Sequence, residues 1–500
     1  MTAPGPHPSL PWGRLEGPTL LTARWVLGHE AGRHLLLREG ELVFEDGAVT
    51  FAGHGYAGPV ARRVDYGAAL IAPGFVDLDA LSDLDTTILG FDNQPAWRKG
   101  RVWPRSYVEA GPFEMYSPQE LAFQKRYAFA HLLRNGITTA LPIASLFYRE
   151  WGETVEEFTA AAEAAEALNL RVWLGPAYRS GGQVVEADGR IVADFDAPRG
   201  LRGLEEAIAF CRANEGRAGG LVRTMLAPDR VETCTPDLLR RTAAAAADLG
   251  VPWRQHALQS AQEVAIVRDL HGTTPAEWLA SLGVLSPRLI VPHATVVSGR
   301  DLALLRDGGV TIAHCPLVTA RGGAAIDSFA RYRAMGLNLG LGTDTWPADM
   351  LLNMQIGLLL CRVREGRADA CRAEDLFDAA TLGGARALGR DDLGRLAPGA
   401  RADIVVWDLA ASHLGQVIDP VQTLLLSGRG TDARTVIVDG RASMQEGEIP
   451  GVDWAAWGVQ AQAQFDRLVS LYPRRTFGHP PAEAIFSSAY PVRRAAKEPT

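Results

Sequence analysis

Between Ala72 and Arg390 the sequence alternates short apolar runs with longer segments of helical pattern. Typical apolar runs are LRVWLGPAY, VPWRQHAL and VTIAHCPLV, and a typical helical segment is PDLLRRTAAAAADLG. Regular alternation of strand and helix is typical of βα units, which build a parallel sheet. At least six such units fit into these roughly 320 residues, and so many units favour a closed (β/α)8 barrel over an open sheet.

Both flanks of this region have β character. Residues 19–71 alternate in short runs that Gly and Asp punctuate, and after Leu396 the runs ARADIVVWDL and RTVIVDGRA follow. We therefore expect an α/β protein in which segments 1–71 and 392–450 build one composite β-sandwich. The barrel is predicted at 72–391 and a C-terminal helical tail at 451–500.

The composition excludes several classes of protein. Hydrophobic residues make up 47% and charged residues 22%, which is ordinary for a globular chain. The net charge of −8 and the scattered basic residues indicate no nucleic-acid partner. The five cysteines form no CxxC pair, which indicates free thiols in a reducing compartment. No secretory pattern and no apolar stretch of about 18 residues is present, so we expect a cytoplasmic protein without membrane contact.

Polar residues end several of the predicted barrel strands. His256, His293 and His314 each end an apolar run, Asp344 closes LGLGTD, and Asp79 follows APGFVD. Active sites of such barrels lie at the C-terminal ends of the strands, so these side chains should converge at the mouth. Imidazole and carboxylate are ligands for Zn²⁺, and also for Fe, Mn or Co. The sequence therefore predicts one shared functional site there.

In their order along the chain, six motifs resemble the amidohydrolase superfamily, in particular the branch of the cytosine and guanine deaminases and the triazine hydrolases. The motifs are APGFVD (72–77), VPWRQH (251–256), RLIVPHATVVSGRDLALL (288–305), VTIAHCP (310–316), LGLGTD (339–344) and PGARADIVVWDL (398–409). The resemblance runs from about residue 18 to residue 445. It implies a metal-dependent barrel with a composite sandwich that hydrolyses a small molecule at a carbon bearing nitrogen or another leaving group. It also allows a homo-oligomer.

The resemblance implies a role for each residue at a strand end. His256 on strand 5 corresponds to a metal ligand. His293 on strand 6 is a ligand in two-metal members and contacts substrate or water in one-metal members. Asp344 on strand 8 binds metal and takes the proton of the attacking water, and His314 on strand 7 faces the substrate. Asp344, His293 and His314 are therefore the predicted catalytic residues.

Two positions depart from the family pattern. The family reads PGFVxxHxH after strand 1, whereas this chain has Asp79 and Leu81 at the two histidine positions. The deaminases carry Glu three residues after the strand-5 histidine, and here Gln259 cannot exchange a proton near neutral pH. Glu263, one turn further on, is predicted on a helix face. These departures argue against simple ring deamination and suit an amide, urea, carbamate or substituted heteroaromatic substrate.

Two functions stay open at this point. In the first, Asp79, His256, His293 and Asp344 share one divalent ion, zinc before Fe, Mn or Co, with water in the open position. The chain would then hydrolyse a small C–N bond of an amide, urea, cyclic amidine or substituted heteroaromatic compound. In the second, the barrel has lost its metal and binds a small ligand without turnover.

The predicted substrate pocket combines aromatic and polar side chains. A long aromatic segment follows strand 1, and its indoles suit stacking on a flat substrate, although packing against the barrel rim would explain them equally well. Other candidates follow the ends of strands 3, 5, 7 and 8. The predicted substrate-binding residues are Trp97, Trp103, Tyr178, Gln259, His314 and Trp346.

Overall fold

The structure, a computed structural model, describes residues 9–84, 102–110, 115–143 and 152–493. Within these residues the strands form four sheets. In chain order they are β1 (Gly13–Arg14), β2 (Thr19–Glu30), β3 (Arg33–Glu45), β4 (Ala48–Gly53), β5 (Arg62–Asp65), β6 (Ala69–Pro73), β7 (Phe75–Leu81), β8 (Trp103–Pro104), β9 (Ile137–Ile143), β10 (Arg171–Leu174), β11 (Ala177–Tyr178), β12 (Gly181–Val185), β13 (Ile191–Phe195), β14 (Val222–Thr224), β15 (Ala227–Pro228), β16 (Trp253–Arg254), β17 (Leu289–Pro292), β18 (Thr311–His314), β19 (Asn338–Leu341), β20 (Ile404–Asp408), β21 (Ala433–Val438) and β22 (Arg441–Gln445).

Most helices in the described ranges begin at a Ser, Thr or Asp whose side chain accepts a backbone N–H of the first turn. They are α1 (Arg105–Glu109), α2 (Pro118–Arg134), α3 (Val155–Leu168), α4 (Ala197–Asn214), α5 (Arg217–Gly220), α6 (Pro236–Leu249), α7 (Ala261–His271), α8 (Pro275–Ser281), α9 (Gly299–Asp307), α10 (Pro316–Arg321), α11 (Phe329–Ala334), α12 (Met350–Glu365), α13 (Ala373–Asp378), α14 (Gly384–Ala387), α15 (Pro420–Ser427), α16 (Trp454–Leu471) and α17 (Ala482–Ile485). None of the helices in the described ranges combines the length and the apolar character that crossing a bilayer requires.

Eight parallel strands form the predicted barrel. Their order is β14-β10-β9-β7-β19-β18-β17-β16, and every neighbouring pair is parallel. A parallel bridge between Leu226 and Trp253 joins the two ends of this sheet and closes it. The predicted (β/α)8 barrel is therefore confirmed. In chain order β7, β9, β10, β14, β16, β17, β18 and β19 are barrel strands 1 to 8.

A nine-stranded curled sheet takes its strands from both flanks of the barrel. β6 lies between β2, which is parallel to it, and β20, which is antiparallel. Leu21, Leu42, Ile71 and Val406 are among the fully buried residues of its core. The composite sheet predicted from the two flanks is thus confirmed, while the residue boundaries of the three units stay a prediction.

The sandwich and the barrel are joined by a buried ion pair. Arg171 on β10 donates to both carboxylate oxygens of Asp403 at 2.9 and 3.0 Å. Asp403 also accepts the backbone N–H of Asp439 at 2.8 Å. Both side chains of the pair are almost fully buried, at 2% and 4% exposure. This network fixes the bottom of the barrel against β20 and β21.

The long C-terminal helix α16 packs on the outside of the barrel against α2. The indole of Trp457 meets the ring of Phe123 edge-on at 5.8 Å, and the guanidinium of Arg126 lies 5.0 Å from the same indole. Near the other end of α16, Leu468 is fully buried in a separate cluster with Leu121. The predicted helical tail thus forms a helix that is docked along its length.

Candidate metal centre and active site

Asp79 lies inside the barrel near the C-terminal end of β7 and is fully buried. Its Oδ1 is 3.4 Å from Nη1 of Arg254, and its Oδ2 is 3.4 Å from Nε2 of His256. Burial alone would raise the pKa of Asp79, but the charges of His256 and Arg254 outweigh it and lower the pKa to about 2. Asp79 is therefore a buried carboxylate that faces the imidazole of strand 5.

His293 ends strand 6 and is nearly fully buried. Its Nε2 is 3.7 Å from Oδ2 of Asp344, and its ring centre is 5.5 Å from that of His256. Burial lowers the pKa of His293 to about 3, so the imidazole is neutral near pH 7. Neither ring nitrogen has a hydrogen-bond partner among the described residues. Buried polar atoms without partners call for an explanation, and a bound ion is one.

Two groups of ligand atoms meet around His293. Asp79, His256 and His293 offer one atom each, all within 4.8 Å of one another, and so do His293, Cys315 and Asp344. Two imidazoles and one carboxylate make a three-residue set suited to a catalytic ion with an open fourth position. The orphaned nitrogens of His293 fit this interpretation. The structure thus brings together the four side chains that the sequence predicts as ligands.

Cys315 is a member of this cluster that the sequence analysis did not assign to the site. Its thiol is fully buried, 3.8 Å from Oδ2 of Asp79, and also donates to the carbonyl of Ala313 at 3.5 Å. Burial and the neighbouring carboxylates raise the pKa of the thiol well above its usual value. The available signal was its position directly after His314 at the end of strand 7.

Arg254 is a second residue that the sequence analysis did not single out. It lies two positions before His256 and donates to the carbonyls of Leu141 and Pro142 at 2.7 and 3.1 Å. Since its side chain is only 3% exposed and contacts Asp79, it is a fixed positive charge inside the barrel mouth. A charged residue within an apolar strand was the signal that could have pointed to it.

At three positions of the site the backbone has a positive φ angle, which residues with a side chain rarely adopt. Leu258, His293 and Asp344 have φ values of 62°, 73° and 52°. Such left-handed residues persist only where the surroundings determine them, and they cluster at functional sites. The N–H of Asp344 donates to the carbonyl of Asp79 at 2.8 Å, which ties strand 8 to strand 1. The strand ends are therefore shaped to present these side chains.

Glu263 holds the turn that follows His256. It lies in the first turn of α7, as predicted, but its carboxylate points inward and accepts the N–H groups of Leu258 and Gln259 at 2.5 and 2.9 Å. Burial and the charge of Glu232 raise the pKa of Glu263 to about 8. Both carboxyl oxygens of Glu263 accept backbone N–H groups, so Glu263 stabilises the turn.

His314 lies at the end of strand 7, and its ring is near Phe329 on α11 and Gly357 on α12. It ends β18 and is 2% exposed, and burial lowers its pKa to about 3. Its Nδ1 has no hydrogen-bond partner among the described residues, and its ring centre is 5.8 Å from that of Phe329. No hydrogen bond or ion pair among the described residues joins His314 to the metal cluster, so its contact with substrate stays a prediction.

The predicted substrate-binding residues fall into different environments. The guanidinium of Arg179 lies 4.5 Å from the ring of Trp103, which belongs to a three-stranded sheet with β12 and β13. The phenol of Tyr178 is buried and hydrogen-bonded at 2.9 Å to Thr242 on α6, so the structure does not bring it to the metal cluster. Trp97 lies outside the described residues, as does the side chain of Leu81.

Trp346 and Gln259 lie close to the cluster along the chain. The indole N–H of Trp346 donates to the carbonyl of Asp83 at 3.2 Å, and its ring packs against α2. Gln259 is partly exposed next to the turn that Glu263 holds. The structure therefore gives Trp346 a packing role on α2, and contact of either residue with substrate stays a prediction.

Comparison with known proteins gives one consistent picture. The model of the amidohydrolase family matches residues 71–442. A 5-methylthioadenosine/S-adenosylhomocysteine deaminase of Natronomonas pharaonis is 31% identical over 434 residues, which cover 85% of this chain and 93% of that protein. A 5'-deoxyadenosine deaminase of Methanosarcina mazei is 26% identical over 441 residues, or 87% and 94% of the two chains.

Solved structures share the fold. An adenosine deaminase from Xanthomonas campestris with bound zinc superimposes with a TM-score of 0.76 at 23% identity, covering 90% of this chain and 98% of the other. Atrazine chlorohydrolase from Arthrobacter aurescens in complex with zinc gives a TM-score of 0.71 at 23% identity, with 89% and 99% covered. The resemblance noted in the sequence is thereby confirmed. The chain belongs to the amidohydrolase family and is a hydrolase of carbon–nitrogen bonds other than peptide bonds.

Proposed function

We propose that this chain is a metal-dependent deaminase of a small cyclic amidine, such as the aminopyrimidine ring of an adenine nucleoside. The observation that carries the proposal is the convergence of Asp79, His256, His293 and Asp344 at the mouth of one barrel. The names of the relatives, deaminases of adenosine derivatives, support this choice among C–N bonds and count against the expectation, drawn from Gln259, that the chain does not deaminate a ring. They disfavour the alternative of a barrel that only binds a ligand.

Zinc is the ion we propose, because its ligands are imidazole and carboxylate and two neighbours of the same fold carry it. Asp79, His256 and His293 would hold the ion, with Asp344 beside them. A bound divalent ion lowers the pKa of its water towards 7 and supplies a nucleophile at neutral pH.

The chain's own groups would carry the protons. Asp344 accepts one proton of the attacking water and returns it to the departing nitrogen, which leaves as ammonia. The water oxygen stays on the ring carbon, and the second water proton ends on the adjacent ring nitrogen. Gln259 cannot carry a proton and Glu263 is bound to backbone N–H groups, so we assign this transfer to Asp344.

His314 and the buried walls of the mouth would orient the substrate. Its neutral imidazole offers a hydrogen bond to a ring nitrogen or to the exocyclic group. Arg254 keeps a positive charge beside Asp79 without any proton exchange, since guanidinium stays charged at neutral pH. These groups bind and orient, and the proton transfer falls to Asp344.

The first test is elemental analysis of protein expressed without added metal and with Zn, Mn, Fe or Co. We expect about one ion per chain and ammonia release from 5'-deoxyadenosine, methylthioadenosine or adenosine, lost on chelation. Parallel assays with amides, ureas and chloro-triazines separate the leaving groups. Protein that holds no metal under any condition, or that releases ammonia at an equal rate after chelation, would contradict the proposal.

A further inference from the structure

A line of aromatic rings connects the C-terminal helix with the loop that carries Asp344. Trp454, the first residue of α16, lies with its ring centre 4.9 Å from that of His131 on α2. His131 meets Trp346 edge-on at 4.7 Å, and Tyr127, one turn earlier on α2, lies 5.5 Å from the same indole. The matched family region ends at residue 442, so α16 lies beyond it.

Trp346 is itself anchored to the active-site end of the barrel. Its indole N–H donates to the carbonyl of Asp83, four residues after Asp79, at 3.2 Å. Arg321 donates to the carbonyl of Trp346 at 2.6 Å and to the hydroxyl of Thr345 at 3.1 Å. The segment after strand 8 is thus held by Arg321 on one side and by the aromatic line on the other.

The conformation of Asp344 depends on its surroundings, of which this segment is a part. With φ at 52° the residue is in the left-handed region, where a carboxyl-bearing residue is held only by its surroundings. His131 suits the supporting position, because burial and the charge of Arg134 lower its pKa to about 4 and leave it a neutral ring. Edge-on contacts between such rings are favourable and have a defined geometry.

We infer that α16 contributes to catalysis by positioning Asp344. Trp454 contacts His131, and His131 in turn holds Trp346, which fixes the direction in which Asp344 presents its carboxylate. Trp454 and His131 are positioning residues, since neither contacts the metal cluster. The inference rests on the proposed role of Asp344. It assigns the C-terminal helix a part in catalysis in addition to its packing on α2.

The test compares Trp454→Ala and His131→Ala with Leu468→Ala. Leu468 lies on the same helix and is fully buried, but its cluster contains none of the residues that support Trp346, so it controls for loss of helix packing. Small misplacements of a catalytic group lower turnover strongly, so we expect kcat to fall about 10–100-fold in the first two variants. KM should change less than kcat, because neither Trp454 nor His131 is a predicted substrate contact. His131→Phe, which keeps a ring, should retain most of the activity.

A second readout needs no substrate. The visible spectrum of cobalt-substituted protein responds to the ligands of the ion and to a carboxylate beside them, so a displaced Asp344 should change it in Trp454→Ala and His131→Ala but not in Leu468→Ala. Equal losses of kcat in all three variants, or wild-type kcat and spectra in the first two, would overturn the inference. If the wild-type protein released no ammonia from any compound, the proposed function would fail, and the spectra would still decide whether α16 positions Asp344.

Discussion

Replacement of Asp344 by asparagine removes the proposed proton acceptor with little change of shape. The backbone N–H that donates to Asp79 is kept, and Asp79, His256 and His293 still form a complete ligand group. Metal content should therefore stay at about one ion per chain. A positioned general base contributes about 10²–10⁴-fold to the rate, so kcat should fall by that factor. The loss corresponds to about 3–5 kcal/mol of transition-state stabilisation.

The assay follows ammonia release and metal content in the same preparations. Asp349→Asn is the matched control, because Asp349 lies five residues further along and accepts the N–H groups of Leu352 and Gly430 outside the cluster. That variant should lose stability and keep kcat. Activity of Asp344→Asn within about tenfold of the wild type would remove Asp344 as the base, since it falls below what such a base contributes. Loss of the ion instead would make Asp344 an essential ligand.

Three further predictions concern other parts of the structure. His256→Ala should lose bound metal in elemental analysis after dialysis, and full occupancy would exclude His256 from the ligands. Arg171→Met leaves Asp403 as an unpaired buried charge and should lower the free energy of unfolding by about 3–5 kcal/mol, measured in denaturant. Arg241→Met, on an exposed pair, should leave stability unchanged. Burial lowers the pKa of His131 from 6.5 to about 4. Between pH 4 and pH 6.5 the folded state therefore binds fewer protons than the unfolded chain. Wild-type protein should therefore lose more stability than His131→Phe as the pH falls through this range, and parallel thermal midpoints would contradict that.

The barrel could be predicted because each βα unit shows its strand and helix locally in the sequence. The same holds for the ligands: a polar residue that ends a buried strand lies at the mouth whatever the rest of the fold does. His256, His293 and Asp344 were found in this way, and the structure brings them together with Asp79.

Features that depend on distant partners could not be found in this way. Arg254 donates to the carbonyl of Leu141, which is 113 residues away in the sequence, and no local sequence pattern indicates that contact. The position of Tyr178 away from the metal cluster has a different cause. β10 ends at Leu174, and Tyr178 belongs to β11, a separate two-residue strand paired with β15. Since successive residues of a strand point to opposite faces, this new register turns the phenol towards α6.

The nine-stranded sheet sets an order of events during synthesis. β6 leads directly into β7, yet its partner β20 is made only after residues 74–403. One edge of β6 therefore stays unpaired until the entire barrel has left the ribosome, and an unpaired edge is a template for wrong pairing. Pairings between distant segments also form slowly. We expect chains that stop before residue 404 to aggregate, because the strand that leads into Asp79 then has no partner on one side.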